Sequence, residues 1–292
     1  MGVTQMSARK HVTTVFAALT AAALASTSVN AATLAEIQES GTIRIAVANE
    51  IPYGYIDPTS GEAMGAGPDV AKHIAEELGI ENIEWVTAEF SGLIPGLQAD
   101  RFDMVAAEMA ILPQRCEQVI YSEPNTSYGE GLLVAAGNPN DVHSYSDFAE
   151  GDHKVAIMAG ADQLEMMQAL GVPESNIVTI SSNADAISTV STGRADAYAA
   201  TGLTASELAG RSDAVEVAAE FTDPVIDGEE VRSWGGFTFA QGSEDLRDAV
   251  NEVLAEFKQT DEWRTIVSGY GFTDADIEGS FNRTTEELCA AE

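Results

Sequence analysis

The chain has 292 residues, 47 of them Asp or Glu and 14 Lys or Arg, for a formal charge of −33. An acidic excess of that size excludes nucleic acid and anionic membranes as partners, since both call for a basic surface, and it serves solubility instead. No His-rich spacing suited to a metal, no phosphate-cradling Gly loop and no Ser-His-Asp order stands in the chain, so neither metal nor cofactor is expected.

Residues 1–31 read as a secretory signal peptide. Arg9 and Lys10 form the basic start, an apolar run extends from Val12 to about Ala25, and Val29-Asn30-Ala31 is the small-residue cleavage site. The apolar run is shorter than the roughly 20 residues that a helix needs to span a bilayer, and no second run of that length follows. Cleavage after Ala31 would take away two basic residues and no acid, moving the charge from −33 to −35. The mature chain is expected to be soluble and periplasmic, without a lipid anchor, because no Cys stands near the cleavage point. Its length, about 260 residues, exceeds what one hydrophobic core supports, so two lobes are expected.

Beyond the leader the chain alternates β-branched runs with amphipathic stretches, the pattern of helices packed on a largely parallel sheet. Thr42–Ala48 is expected as a buried strand, Pro68–Leu78 as a helix stopped by Gly79, Ile83–Val86 as a strand, Leu93–Ala99 as a short helix and Met104–Ala107 as a third strand. A second set follows: strand Lys154–Met158, helix Asp162–Leu170, strand Ile177–Ile180, helix Ala184–Thr192 and strand Ala195–Ala199. Between the sets, Gly131–Ala136 and the turn Gly137-Asn138-Pro139 mark a crossing, and Val231–Phe239 marks the return. Residues 32–135 and 232–292 are thus assigned to the first lobe and 136–231 to the second, with helices at Leu246–Lys258 and Asp261–Tyr270 rejoining the first. Cys116 and Cys289 are either one disulfide tying the tail to the first lobe or two buried thiols, as geometry rather than spacing decides pairing.

Three segments are more specific. Phe90–Met104 (FSGLIPGLQADRFDM), Ile111–Pro124 (ILPQRCEQVIYSEP) and Lys258–Phe272 (KQTDEWRTIVSGYGF) resemble, in this order, the polar amino acid family of periplasmic binding proteins of ABC transporters. Within that family the opening Ala48–Ile56 (ANEIPYGYI) and the surroundings of Arg115 are most similar to ectoine- and hydroxyectoine-binding proteins. The resemblance implies an α/β fold of the periplasmic binding protein type II, with two α/β lobes joined by two crossover strands and a ligand cleft between them. It further implies a monomer that captures a small zwitterionic ligand, hands it to an ABC transporter permease and performs no chemistry on it.

Several residues fit such a ligand chemically. Arg115, in the loop after a buried strand, offers a rigid fork of donors that matches a carboxylate at two points, and the matching Arg of the family does this; on residues alone it could equally pair with Glu117 at the surface. Glu50, at the end of the first strand, would accept charge-assisted hydrogen bonds from a cationic nitrogen. Tyr53 and Phe90 stand where the family sandwiches its ligand, and rings favour a delocalised cation by about 0.5–2 kcal/mol per good contact; the plain alternative for each is core packing. The resemblance leads to a third aromatic just before the Pro-x-Arg loop, yet the chain carries Met109-Ala110, a thioether that lacks a π face and an alanine whose backbone remains available.

In the second lobe, Gly160 and Ala161 lie at a strand-to-helix turn, where free N–H groups can meet an anion. Thr201 takes the place where amino acid binders usually carry an Asp for the α-ammonium, which suits a ligand without a free ammonium. An enzyme on the same fold, resembling cyclohexadienyl dehydratase, would need an acid or base beside the substrate, and His73, His143 and His153 fall in a helix and in loops around the crossing.

Overall fold

A computed structural model describes residues 1–3, 32–149 and 151–290. The expected leader falls outside them apart from its first three residues, and so does the cleavage site. The strands that carry the architecture are, in chain order, β1 (Thr42–Val47), β2 (Asn82–Thr87), β3 (Met104–Ala110), β4 (Val119–Tyr121), β5 (Thr126–Tyr128), β6 (Glu130–Ala135), β7 (Val155–Met158), β8 (Ile177–Ile180), β9 (Ala197–Thr201), β10 (Val215–Val217) and β11 (Ser233–Ala240). They form two sheets: β2-β1-β3-β11-β4, with β5 also on β11, and β8-β7-β9-β6-β10.

Each sheet is parallel through its βαβ units and antiparallel where a crossing strand joins it. β1 pairs parallel with β2 and β3, whereas β11 runs antiparallel to β3, β4 and β5. In the second sheet β7 pairs parallel with β8 and β9, and β6 antiparallel with β9 and β10. The first crossing therefore comes earlier than the sequence border at residue 135. Because the ladder ties Glu130–Ala135 to β9 and β10, these residues belong to the second sheet, and the chain changes sheets at Gly129. Return occurs ahead of Ser233, close to the expected border.

The element pattern follows the hydrophobic period. β3 is buried along its whole length, as a central strand covered on both faces must be, and it runs to Ala110 rather than stopping at Ala107. Helix Ala66–Glu77 buries Ala66, Val70, Ala71, Ile74 and Ala75, and helix Glu244–Phe257 buries Leu246, Val250, Leu254 and Phe257, both at three- and four-residue spacing. One apolar cluster fills the second lobe around Leu133, Tyr145, Phe148 and Ile157. Two others cover the faces of the first sheet, around Ile45, Phe237 and Trp263 and around Leu93, Phe102 and Tyr121.

The loop after β1 presses on β3 closely. A Cβ at Gly54 would stand 2.3 Å from the Ala106 carbonyl oxygen, so no side chain fits there. Cys116 and Cys289 form a disulfide with Cα atoms 5.7 Å apart, which ties helix Thr285–Ala290 to the short helix Pro113–Cys116. Among the described residues, no helix is long and apolar enough to cross a membrane.

Candidate functional site

Strand ends of both sheets converge on a gap between the lobes, where open α/β sheets place their ligands. About 380 Å³ of space, counted with its mouth to solvent, lies there. Only about 20 Å³ of it admits the centre of a water-sized sphere, roughly the room of one water.

Glu50 and Tyr53 reach the gap from the loop after β1. The Glu50 backbone exchanges both hydrogen bonds with Gly54, at 3.0 and 2.9 Å, which shapes the loop. Its Oε1 accepts from the Thr204 hydroxyl of the second lobe at 2.9 Å. Burial pushes the Glu50 carboxyl above its usual range, against the opposing pull of the Asn183 and Thr204 side chains. Tyr53 is buried and donates to Thr201 Oγ1 at 2.7 Å; its ring stands edge-on to Tyr128 at 5.2 Å and to Phe272 at 5.8 Å. Both residues therefore line the gap and bridge the lobes at once.

Phe90, half-buried in the turn Phe90–Gly92, also lines the gap. The Arg115 guanidinium lies 5.7 Å from its ring centroid. Arg115 is 7% exposed, which discards the surface pairing with Glu117. Its Nη1 donates to the Ala110 carbonyl and its Nη2 to the Gly160 carbonyl, each at 2.9 Å, so it joins the lobes as well. It is not itself among the lining side chains but stands directly behind Ala110, which is.

Met109 is a correction. Its side chain is buried with Leu93, Ile111 and Tyr121 in the core of the first lobe and does not line the gap. Ala110 and Glu108, its neighbours along β3, face the gap in its place, as strand alternation dictates. In the second lobe Ala161 and Thr201 line the gap. Gly160 contributes its backbone: at φ +83°, its Cβ position would lie 3.0 Å from Ser91 Cα of the first lobe. Thr201 also caps helix Gly202–Ala209, accepting from the Thr204 N–H at 3.2 Å.

The sequence reading missed eight lining residues: Ala107, Glu108, Tyr128, Met158, Asp162, Gln163, Tyr198 and Ala200. Two signals were present. Ala200 falls at the end of the AYAAT strand, where ligands are expected, with Tyr198 two residues before it on the same face, and Tyr128 follows the Tyr-Ser-x-Pro motif. Glu108 gave none. It sits in an otherwise apolar strand, takes φ +48°, and accepts hydrogen bonds from Asn125 at 2.7 Å and Thr126 at 2.6 Å. Burial raises its carboxyl too, against those two donors. The gap is therefore framed by four rings, Tyr53, Phe90, Tyr128 and Tyr198, and three carboxyl groups, Glu50, Glu108 and Asp162, with one guanidinium just behind.

Known proteins share this arrangement of lobes and sequence. The model of the bacterial extracellular solute-binding proteins, family 3, matches residues 43–273, more than half of the chain. The chain belongs to that family. It is 59% identical over 262 residues, 89% of its length and 87% of the relative's, to a probable amino-acid ABC transporter periplasmic-binding protein of Sinorhizobium fredii. The crystal structure of EhuB in complex with hydroxyectoine superposes with a TM-score of 0.80 at 32% identity, covering 89% of this chain and 98% of that one. An ancestral amino acid-binding protein, described as a precursor of cyclohexadienyl dehydratase, superposes at 0.71 with 30% identity, covering 82% and 99%. The family and these relatives are binding proteins of the type II periplasmic fold rather than enzymes.

Proposed function

We propose that this solute-binding protein works outside the cytoplasm, captures a compact zwitterionic solute of the ectoine and hydroxyectoine type, and delivers it as a monomer to the permease of an ABC importer. One observation carries the reading: four rings and the Glu50 carboxylate frame the gap while the Arg115 guanidinium stands behind Ala110. Rings and a carboxylate together favour a delocalised, weakly hydrated cation, and a guanidinium fork favours a carboxylate. The likeness to a structure bound to hydroxyectoine supports the same ligand class.

A polar amino acid is the second reading. Asp162 lines the gap, so a carboxylate is available to an α-ammonium even though Thr201 stands where an Asp was looked for. The S. fredii relative, described as an amino-acid transporter component, supports it equally.

Closure around the ligand is the working motion, with binding favouring the closed arrangement of the lobes. A thermal-shift screen against ectoine, hydroxyectoine, glycine betaine, proline and the polar amino acids tests the reading, since a ligand of the native state raises the melting temperature by mass action. A shift with ectoine or hydroxyectoine at the lowest concentration supports it; a shift with amino acids alone moves the assignment to the second reading. Consumption of the solute would replace both with an enzyme.

A further inference from the structure

Asp162 was not expected to take part, and its surroundings set it apart from the other acids of the cleft. It occupies the turn between β7 and helix Gln163–Ala169, is 6% exposed and lines the gap. Its Oδ2 accepts from the Ser233 hydroxyl on β11 at 3.1 Å, so a residue of the first sheet fixes the carboxylate in place. Its Oδ1 has no hydrogen-bond partner among the described residues, yet it is not one of the sealed unpartnered atoms, and it therefore borders open space.

The Arg115 guanidinium feels the charge of Asp162 without pairing with it, and its remaining N–H groups stay available to a solute. Arg115 commits Nη1 to Ala110 and Nη2 to Gly160, and no ion pair among the described residues involves Glu50, Glu108, Glu130 or Asp162. Gln163 lines the gap and donates to Glu130 at 2.7 Å, where Tyr145 also donates at 2.9 Å. Burial first, and the closeness of Asp162 second, hold the Glu130 carboxyl well above the usual range. Glu130 Oε1 is sealed without a partner among the described residues, so this wall is incomplete in polar contacts.

An oxygen that faces the gap is hydrated while the gap is open, and a solute that brings N–H groups replaces that water with charge-assisted hydrogen bonds. We propose that Asp162 is the specificity-determining residue of the second lobe: together with Glu50 it gives the solute's positive end one acceptor from each lobe. The cleft then selects a solute whose cation carries at least two N–H donors, such as an amidinium, guanidinium or primary ammonium. It discriminates against a quaternary ammonium, which has no N–H to give, and against a second carboxylate, which meets like charge. This inference rests on the reading of the cleft as a solute site and names the feature by which it chooses.

The test is calorimetric titration of the purified protein and of its Asp162→Asn and Ser233→Ala variants with ectoine, L-arginine, glycine betaine and L-glutamate, with thermal melts as a check on folding. The wild type is expected to bind ectoine or L-arginine at least about tenfold more tightly than glycine betaine or L-glutamate, and Asp162→Asn to lose at least about tenfold for the N–H cation, narrowing that gap. Ser233→Ala, which keeps the carboxylate but releases Oδ2, should narrow it less. Should Asp162→Asn fail to fold, Ser233→Ala decides: reduced selectivity supports the inference and unchanged selectivity overturns it. Undiminished binding of the N–H cation by a folded Asp162→Asn protein, or a wild-type preference for glycine betaine, overturns the role of Asp162 and leaves the cleft reading standing. Absence of binding to all four solutes overturns this inference, and the cleft reading stands or falls with the wider thermal-shift screen.

Discussion

The Tyr53 hydroxyl of the first lobe donates to Thr201 Oγ1 of the second across 2.7 Å, in a buried position on the wall of the cleft. The same Thr201 oxygen accepts the Thr204 N–H at 3.2 Å and caps a helix, so one hydroxyl both latches the lobes and starts an element. The two roles separate by mutation. Tyr53→Phe keeps the ring and removes only the latch, which should weaken ligand affinity by about 0.5–1.5 kcal/mol and leave the melting temperature of the free protein nearly unchanged. Thr201→Ala removes the cap as well and should lower stability by about 1 kcal/mol. Titration and denaturant unfolding of the two variants side by side check this; equal loss of stability in both would refute it.

Gly160 of the second lobe lies close against Ser91 of the first. At φ +83° an alanine there is strained, and its methyl, 3.0 Å from Ser91 Cα, would require the first lobe to give by a few tenths of an ångström. Gly160→Ala should cost binding about tenfold or more while small-angle scattering shows a larger radius of gyration in the presence of ligand than the wild type has. A variant that closes and binds normally would show that the approach is dispensable.

Acidification should stabilise this protein over part of its range. Burial raises the carboxyls of Glu50, Glu108 and Glu130 above the usual 4.5. Between 4.5 and those higher values the folded chain holds more protons than the unfolded one, so stability falls as pH rises through that window and grows as pH is lowered towards 4.5. Relief of repulsion in a chain of charge −33 acts in the same direction. Thermal melts from pH 7.5 down to about 5 should show a rising midpoint, and Glu108→Gln, which is neutral throughout, should flatten the curve. A midpoint that falls steadily over that interval contradicts the assignment.

Lys258 should act at the alkaline end. Its ammonium donates to the Pro124 carbonyl at 2.5 Å and the Ser280 carbonyl at 3.0 Å and lies 4.2 Å from the Phe281 centroid, and burial pushes it down to about 8 from 10.5. Between those two values the unfolded chain binds the extra proton, so stability gains a rising component as pH increases through that interval. Comparison of wild type with Lys258→Met at pH 7, 8.5 and 10 should show the wild type improving relative to the variant as pH rises; a constant difference would contradict it.

Reduction of the Cys116–Cys289 disulfide, which spans 173 residues of sequence, should lower stability by about 2–5 kcal/mol through the freed unfolded chain. Melts with and without reductant, and with both cysteines changed to serine, measure it. Identical midpoints would mean that the bond contributes nothing.

The fold was legible wherever a hydrophobic period was long and uninterrupted. The strands at Thr42, Ile177 and Met104 and the helices at Ala66 and Glu244 lie within a few residues of their expected places because burial on one or both faces imposes the pattern. The border at Gly129 was not, since Glu130–Ala135 reads as an apolar strand whichever sheet it joins, and only its ladder assigns it. In the site, Glu50, Tyr53, Phe90, Ala110, Ala161 and Thr201 follow strand ends and could be reached by reasoning on α/β sheets. Met109 was misplaced because alternation along β3 puts its neighbours, not it, at the gap. Glu108 and Asp162 were overlooked in a chain where 47 acids make any single one unremarked, and their significance comes from burial, which local sequence does not display.

Calorimetric titration of the purified protein with ectoine and hydroxyectoine, run together with Arg115→Ala and Phe90→Ala, tests the cleft most directly. The expected result is saturable one-to-one binding by the wild type, at least a hundredfold loss in Arg115→Ala and a smaller loss in Phe90→Ala, with both variants melting cooperatively. Binding that survives Arg115→Ala undiminished, or a wild type that binds neither these solutes nor any polar amino acid, would contradict the account.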